Sequence, residues 1–253
     1  MAGVAAFSTN AMALELTNPF YGPDKGQLTS TTAYTYERTS RKNEAGVLRE
    51  YDNVIAEELR YGIIDNLTID ATVSNTWQRF NSSGYTDKDD TNIDWSLGAT
   101  YNFFPINCPT KVQASAKYGQ KPSWSHVNNG EYKYARAQVK AGYDFGIVLP
   151  YLTADVEFPL WQGEEAAHRQ NRYETRLGFY KMFGDKFSAD LGVQFNYEKS
   201  ESIRNWSTTN TVSYYITPNW AVSAYGKITI DSQGSDDFRG HEKALGLRLR
   251  TTF

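Results

Sequence analysis

Cysteine is almost missing: Cys108 is alone among 253 residues, so no disulfide can close within the chain. It sits in Ile106-Asn107-Cys108-Pro109, a turn composition. Histidine is scarce as well, with only His126, His168 and His241. Clustered Cys and His of the kind that hold transition metals are therefore not available, and the sequence calls for no metal and no cofactor. No apolar run approaches the roughly 18 residues that a bilayer-crossing helix requires, and the mean hydropathy is only -0.59. A helical membrane protein is excluded. Basic residues form no block, and 26 Lys and Arg stand against 29 Asp and Glu for a net charge of -3. Nucleic acid is not an expected partner.

Aromatic residues, by contrast, are plentiful, with 18 Tyr, 13 Phe and 6 Trp, as expected where amphipathic rings line a membrane interface. Apolar and polar residues alternate over segments much longer than an ordinary strand of about 5 or 6 residues. Phe187, Ala189, Leu191, Val193, Phe195 and Tyr197 share one face, against Ser188, Asp190, Gly192, Gln194, Asn196 and Glu198 on the other. The same beat runs through Ile93 to Phe103, Ala135 to Phe145 and Trp220 to Ile230.

Turn signals fall into two alternating kinds. Short turns lie at Asp65-Asn66, at 105–109, around Gly146, at Gly184-Asp185 and at Pro218-Asn219. Longer polar connections lie at 41–46, 81–90, 121–130, 162–170, 199–202 and 231–240. One strand pair recurs about every 35–40 residues, the spacing of an up-and-down barrel with short turns at one end and longer loops at the other. The expected fold is all-β, a closed antiparallel transmembrane barrel of about twelve strands, with both chain ends on the short-turn side. A propeller fails because its blades need four short strands per period. A soluble barrel, with the apolar face inside, remains the competing arrangement.

Three divisions of the chain follow. Residues 1–13 are small and apolar and end in Ala11-Met12-Ala13, the form of a signal-peptidase site, so they are read as the remnant of a secretory signal although no basic stretch precedes them. Residues 14–26, with Pro19 and Pro23, form a periplasmic N-terminal segment, either folded into the barrel mouth or a loose tail. Residues 27–253 form the barrel.

The final residues, His241 to Phe253, place Leu245, Leu247, Leu249, Thr251 and Phe253 on one face and stop on an aromatic ring. This strand resembles the C-terminal signature of bacterial outer-membrane β-barrel proteins of the porin-like class. The resemblance implies that Phe253 and the leucines before it are recognised by the barrel assembly machinery, that the location is the outer membrane with its lipid and lipopolysaccharide, and that small hydrophilic solutes diffuse through a narrow or partly closed lumen. It leaves oligomeric state and solute open.

With the leucines facing lipid, the lumen receives Lys111, Lys117, Arg136, Lys140, Arg172, Arg176, Lys227, Arg248 and Arg250, together with Asp155, Glu157, Glu174 and Asp190. Asp70, Asp94, Asp144 and Glu198 share that parity. Two readings stand side by side. The charges pair across strands and fill the interior, or Arg136, Lys140, Arg172 and Arg176 draw anions through an aqueous path. Aromatic girdles are expected at Tyr101, Phe103, Tyr143, Phe145, Phe183, Phe187, Tyr214 and Trp220 near the short turns, and at Trp77, Trp95, Trp161 and Trp206 towards the loops.

Two other classes compete with a channel. An outer-membrane lipid-modifying enzyme needs a histidine base oriented beside a nucleophile, but the three histidines sit in or beside the long connections, as do Asp89-Asp90, Glu164-Glu165 and Asp236-Asp237. No enzymatic activity is expected. A non-conducting structural or adhesive barrel would use loop aromatics such as Tyr85, Trp124, Tyr132 and Trp206.

Overall fold

In the computed structural model, the described residues are 16–43, 46–82, 88–105, 107–122, 131–162, 170–199, 203–233 and 239–253. They form twelve strands: β1 (Leu28–Asn43), β2 (Gly46–Ile64), β3 (Leu67–Ser82), β4 (Lys88–Asn102), β5 (Thr110–Pro122) and β6 (Glu131–Tyr143). The second half adds β7 (Leu149–Gln162), β8 (Arg172–Phe183), β9 (Phe187–Glu198), β10 (Ile203–Thr217), β11 (Trp220–Gln233) and β12 (Arg239–Thr252). Each pairs antiparallel with its sequence neighbours, and β1 pairs with β12 from Thr29↔Thr252 to Lys42↔Arg239, closing the barrel.

Closure has a physical cause. In hydrocarbon an unpaired N–H or C=O costs several kcal/mol, so a sheet crossing the bilayer tolerates no free edge. The shortest strands, such as β8, have 12 residues, which at a tilt of about 45° span roughly 28 Å, close to the thickness of a bilayer core. The faces sort as the alternation requires. Ile93, Leu97, Val139, Leu152, Leu191, Val212, Ile228, Leu245 and Leu247 are exposed on the outside, while Asp70, Lys111, Asp155, Glu157, Gln194 and Ser213 are buried inside. This is the inverse of a soluble barrel and sets that alternative aside.

Aromatic rings crowd the strand ends. At the short-turn end Tyr101 packs on Phe103 with centroids 5.1 Å apart, Tyr143 on Phe145 at 4.9 Å and Phe187 on Tyr214 at 4.9 Å. Phe183 and Trp220 are exposed at the same level. At the other end Trp77, Trp95 and Trp206 are exposed; the side chain of Trp161 lies outside the described residues.

The expected twelve strands and five short turns match the structure, but several long connections are shorter than the sequence implies. Asn43 pairs with Gly46, so the ladder runs through most of 41–46. Strands likewise consume parts of 81–90 and 231–240. Polar residues signal the end of the lipid zone, not the end of pairing, and a ladder can continue into water. His241 consequently lies within β12. Asp144 is a turn residue that accepts the Gly146 N–H at 2.8 Å, and does not line the lumen.

Candidate functional site

Residues 16–26 do not trail away from the barrel. They fold into its short-turn end and lie across the lumen as a plug. Leu16 and Phe20 are 1% and 2% exposed. Leu16 and Tyr21 pack with Tyr215 and Ala221, and Phe20 with Leu149, Tyr151 and Tyr180, while Met182 bridges the two groups. Burying a Leu or Phe contributes about 1.5–3 kcal/mol, so this small apolar core is a substantial anchor. Gly62 makes room beside it: a Cβ there would collide with the Pro23 and Asp24 carbonyls. Gly26, at φ +83°, then turns the chain into β1.

Polar contacts complete the seal. The Thr17 hydroxyl lies 2.9, 2.8 and 2.7 Å from the hydroxyls of Tyr180, Ser188 and Tyr215. Three cations from the wall donate to backbone carbonyls of the plug. Arg250 Nη1 reaches Leu16 O at 2.5 Å, Lys140 Nζ reaches Pro19 O at 2.6 Å, and Arg60 Nη1 reaches Tyr21 O at 3.0 Å. Gln113 Nε2 adds a longer contact of 3.4 Å to Phe20 O.

Above the plug is a cavity of about 360 Å³, whose walls carry six cations, Arg60, Lys117, Lys140, Arg176, Arg248 and Arg250, against four carboxylates, Glu58, Asp70, Glu174 and Asp190. That volume has room for on the order of ten water molecules. Pairing within this set is uneven. Lys117 bridges Asp70 and Glu58, the latter at 3.5 Å. Arg176 meets Asp190 at 2.9 Å and Thr209 at 2.7 Å, and the Tyr151 hydroxyl also donates to Asp190. Arg60, Lys140, Arg248 and Arg250 make no ion pair among the described residues.

Towards the long connections the lumen is crossed by further pairs. Arg136 Nε contacts both oxygens of Asp155, at 2.8 and 2.7 Å, and Gln138 donates to the same carboxylate at 3.0 Å. Lys121 meets Glu157 at 3.0 Å, with the Tyr132 hydroxyl on its other oxygen. Lys227 meets Glu242 at 2.6 Å, whereas Arg172 and Glu174 are a loose 4.0 Å apart.

The anticipated group of Arg136, Lys140, Arg172 and Arg176 is therefore divided: two are neutralised by carboxylates, Arg172 stands half-exposed, and Lys140 holds the plug. Lys111 is buried on the same inner face. Tyr132, expected as an exposed loop ring, is 2% exposed inside the lumen because its parity on β6 points inwards. His241 is exposed, and His126 and His168 lie outside the described residues, as do Tyr85 and Trp124. Leu245 and Leu247 of β12, and Phe253 just after it, are exposed outwards, while Leu249 is only partly so.

The sequence gives no signal for Arg60 as a lumen residue, and of its two readings for residues 14–26, the segment folded into the barrel mouth is the one found. Arg60 shares its parity with Glu58, but Glu57 on the opposite face of β2 breaks the alternation that would have revealed it. For the plug the signal was Leu16, Phe20 and Tyr21 clustered beside two prolines, a composition richer in apolar residues than a loose tail needs.

No family model matches the chain, and no curated relative does. Among solved structures, an outer membrane channel from Pseudomonas putida F1 superposes with a TM-score of 0.74 at 14% identity, covering 93% of this chain and 98% of that one. The translocator domain of the autotransporter NalP from Neisseria meningitidis gives 0.55 at 12% identity, with 95% and 92% covered. The KdgM porin in complex with disordered oligogalacturonate gives 0.53 at 10% identity, with 86% and 97% covered. The chain has the fold of these outer-membrane barrels. Their differing descriptions show that the fold alone does not set the cargo.

Proposed function

We propose that the protein is an outer-membrane channel for passive diffusion of small hydrophilic solutes, held partly closed by its own N-terminal segment. The observation that carries this reading is a membrane-spanning barrel whose inside holds a polar cavity of about 360 Å³, floored by a segment that is continuous with β1 through Gly26 and meets the rest of the wall only through non-covalent contacts. Solid side-chain packing would leave no such space. The short turns, and the plug with them, face the periplasm, and the long connections face outwards among lipopolysaccharide. Phe253 and the exposed leucines of β12 are presented where the barrel assembly machinery would read them.

The lumen offers polar groups for binding and passage; a lipid-modifying enzyme would need a histidine base beside a nucleophile, and assay of the purified barrel on phospholipid and lipopolysaccharide tests that reading. The structural or adhesive alternative makes a different prediction: a correctly folded barrel stays electrically silent. Planar-bilayer recording separates them. Discrete openings, together with swelling of proteoliposomes in small sugars, support the channel. A barrel that is silent both intact and without residues 16–23 overturns it.

A further inference from the structure

The four cavity cations without carboxylate partners are not scattered. Arg60, Lys140 and Arg250 converge on the plug, and each is satisfied by a carbonyl oxygen, a neutral group where an anion would bind more strongly. Arg248 has no hydrogen bond or ion pair among the described residues; its guanidinium stacks 5.5 Å from the centroid of Tyr225 and faces the same cavity. The positive charges act on one another, Arg60 and Arg250 at Lys140, and Arg60 and Arg248 at Arg250. Glu58 and Asp190 offset part of this charge through space, Glu58 mainly that of Arg60 and Asp190 that of Lys140 and Arg248, but their ion pairs are with Lys117 and Arg176. Four like charges in a confined site, met by carbonyls, the Thr31 hydroxyl and the Phe20 and Tyr225 rings but by no carboxylate of the described residues within ion-pair distance, are a place where an oxyanion gains strong charge-assisted bonds.

We propose that Arg60, Lys140, Arg248 and Arg250 form a binding site for the carboxylate or phosphate group of a small solute, and that binding takes these cations away from the Leu16, Pro19 and Tyr21 carbonyls. Arg248 receives the solute from the cavity, and the three anchoring cations turn from the plug towards it. The plug then loses its three charge-assisted anchors and keeps its apolar contacts, the Thr17 and Tyr21 hydroxyl contacts and the backbone bonds beside Gly62, so the solute loosens the seal against its own passage. This deepens the channel reading and rests on it for the passage step, but the competition itself is testable without any conductance.

The Thr17 and Ser188 hydroxyls are 2.8 Å apart, within reach of a disulfide if both become cysteine. The probe is the double variant Thr17→Cys/Ser188→Cys in a Cys108→Ser background, as a folded barrel verified by heat-modifiable gel mobility. Its rate of oxidative cross-linking reports how often the plug is docked. Succinate and inorganic phosphate are each expected to slow cross-linking several-fold relative to glucose, and relative to chloride at matched ionic strength. Slowing by one of them alone assigns the site to that group. Adding Arg248→Gln is expected to abolish the slowing, and Arg248→Lys to restore part of it. Equal rates in all four solutes, or equal slowing by chloride, overturn the proposal. If the anions slow cross-linking but the barrel lacking residues 16–23 never conducts, the site stands and the channel reading falls.

Discussion

The wall of β6 to β9 and the short-turn end treat the same kind of side chain in opposite ways. On the wall Arg136 and Arg176 are each met by a carboxylate on a neighbouring strand, Asp155 and Asp190, at 2.7 and 2.9 Å. At the short-turn end Arg60, Lys140 and Arg250 meet plug carbonyls instead. A cation paired across strands belongs to the rigid ladder, because its partner stands on a hydrogen-bonded neighbouring strand. A cation paired with a folded-in segment is released whenever that segment moves. Positive charge on the wall therefore builds structure, and positive charge at the plug is available to a ligand.

The contrast breaks most completely if the plug is removed. Deleting residues 16–23 withdraws the partners of all three anchoring cations and opens the short-turn end, and single-channel conductance is expected to rise by an order of magnitude or more, with a shift towards anion preference measured as reversal potential in a salt gradient. Unchanged conductance would mean that the plug does not limit flow. On the wall the effect falls on stability. Arg136→Met strands Asp155, whose side chain is 3% exposed. Breaking a buried pair costs roughly 3–5 kcal/mol; because Arg136 is itself partly exposed and Gln138 still donates to Asp155, a loss of about 2–3 kcal/mol is expected in urea unfolding from lipid vesicles. A loss below about 1 kcal/mol, the ordinary value for exposed pairs, would erase the distinction.

How far each region was legible follows from the same contrast. Strand β9 declared itself, since Phe187 to Glu198 alternates without a break and the bilayer enforces that alternation at every position. Lumen parity followed, and it placed Asp155, Glu157, Arg136 and Arg176 on one inner face. Partner choice did not follow, because even the cross-strand register does not decide it: Arg136 sits opposite Glu157 in the ladder yet bonds diagonally to Asp155. The plug was harder still. No strand period governs it, and its tertiary partners Tyr180, Ser188 and Tyr215 lie more than 160 residues away.

A gentler perturbation loosens the plug without deleting it. Gly62→Ala places a methyl group against the Pro23 and Asp24 carbonyls, forcing the segment away from β2 and disturbing the Gly26 N–H bond to Gly62 O at 2.8 Å and the return bond from Gly62 N–H to Gln27 O at 3.1 Å. Backbone cannot yield as a flexible side chain can. The barrel should fold normally, with more frequent openings in bilayers than the parent. Thr17→Val acts in the same direction but less strongly, removing a hydroxyl shared by three partners at a net cost of about 1–2 kcal/mol to plug docking. Openings in the Gly62→Ala barrel no more frequent than in the parent would argue against contact with 23–26 as part of the seal.

The smallest effect is expected where two adjacent glutamates face opposite worlds. Glu58 points into the cavity and meets Lys117, whereas Glu57 points outwards between the exposed Ile55 and Leu59. It lies seven residues before the end of β2 at Ile64, roughly 15 Å along the axis of a barrel with strands tilted ~45°. A carboxylate at that depth is expensive in lipid, and β1 lowers the cost: Ser30 and Thr32 hydroxyls donate to its two oxygens at 2.5 Å each. Glu57→Leu removes the polar group and both bonds together. The two hydroxyls can turn to backbone carbonyls of their own strand, so no unsatisfied group is forced on the sheet. Folding stability in vesicles is therefore expected to change by less than about 1 kcal/mol, because the gain in apolar surface offsets the lost bonds. Conductance should not change at all, since the side chain never enters the lumen. Glu58→Gln, one residue on, should alter ion preference by freeing Lys117 from one of its two carboxylates. A conductance change in Glu57→Leu as large as that in Glu58→Gln would show that the two faces of β2 are not separated as the alternation requires.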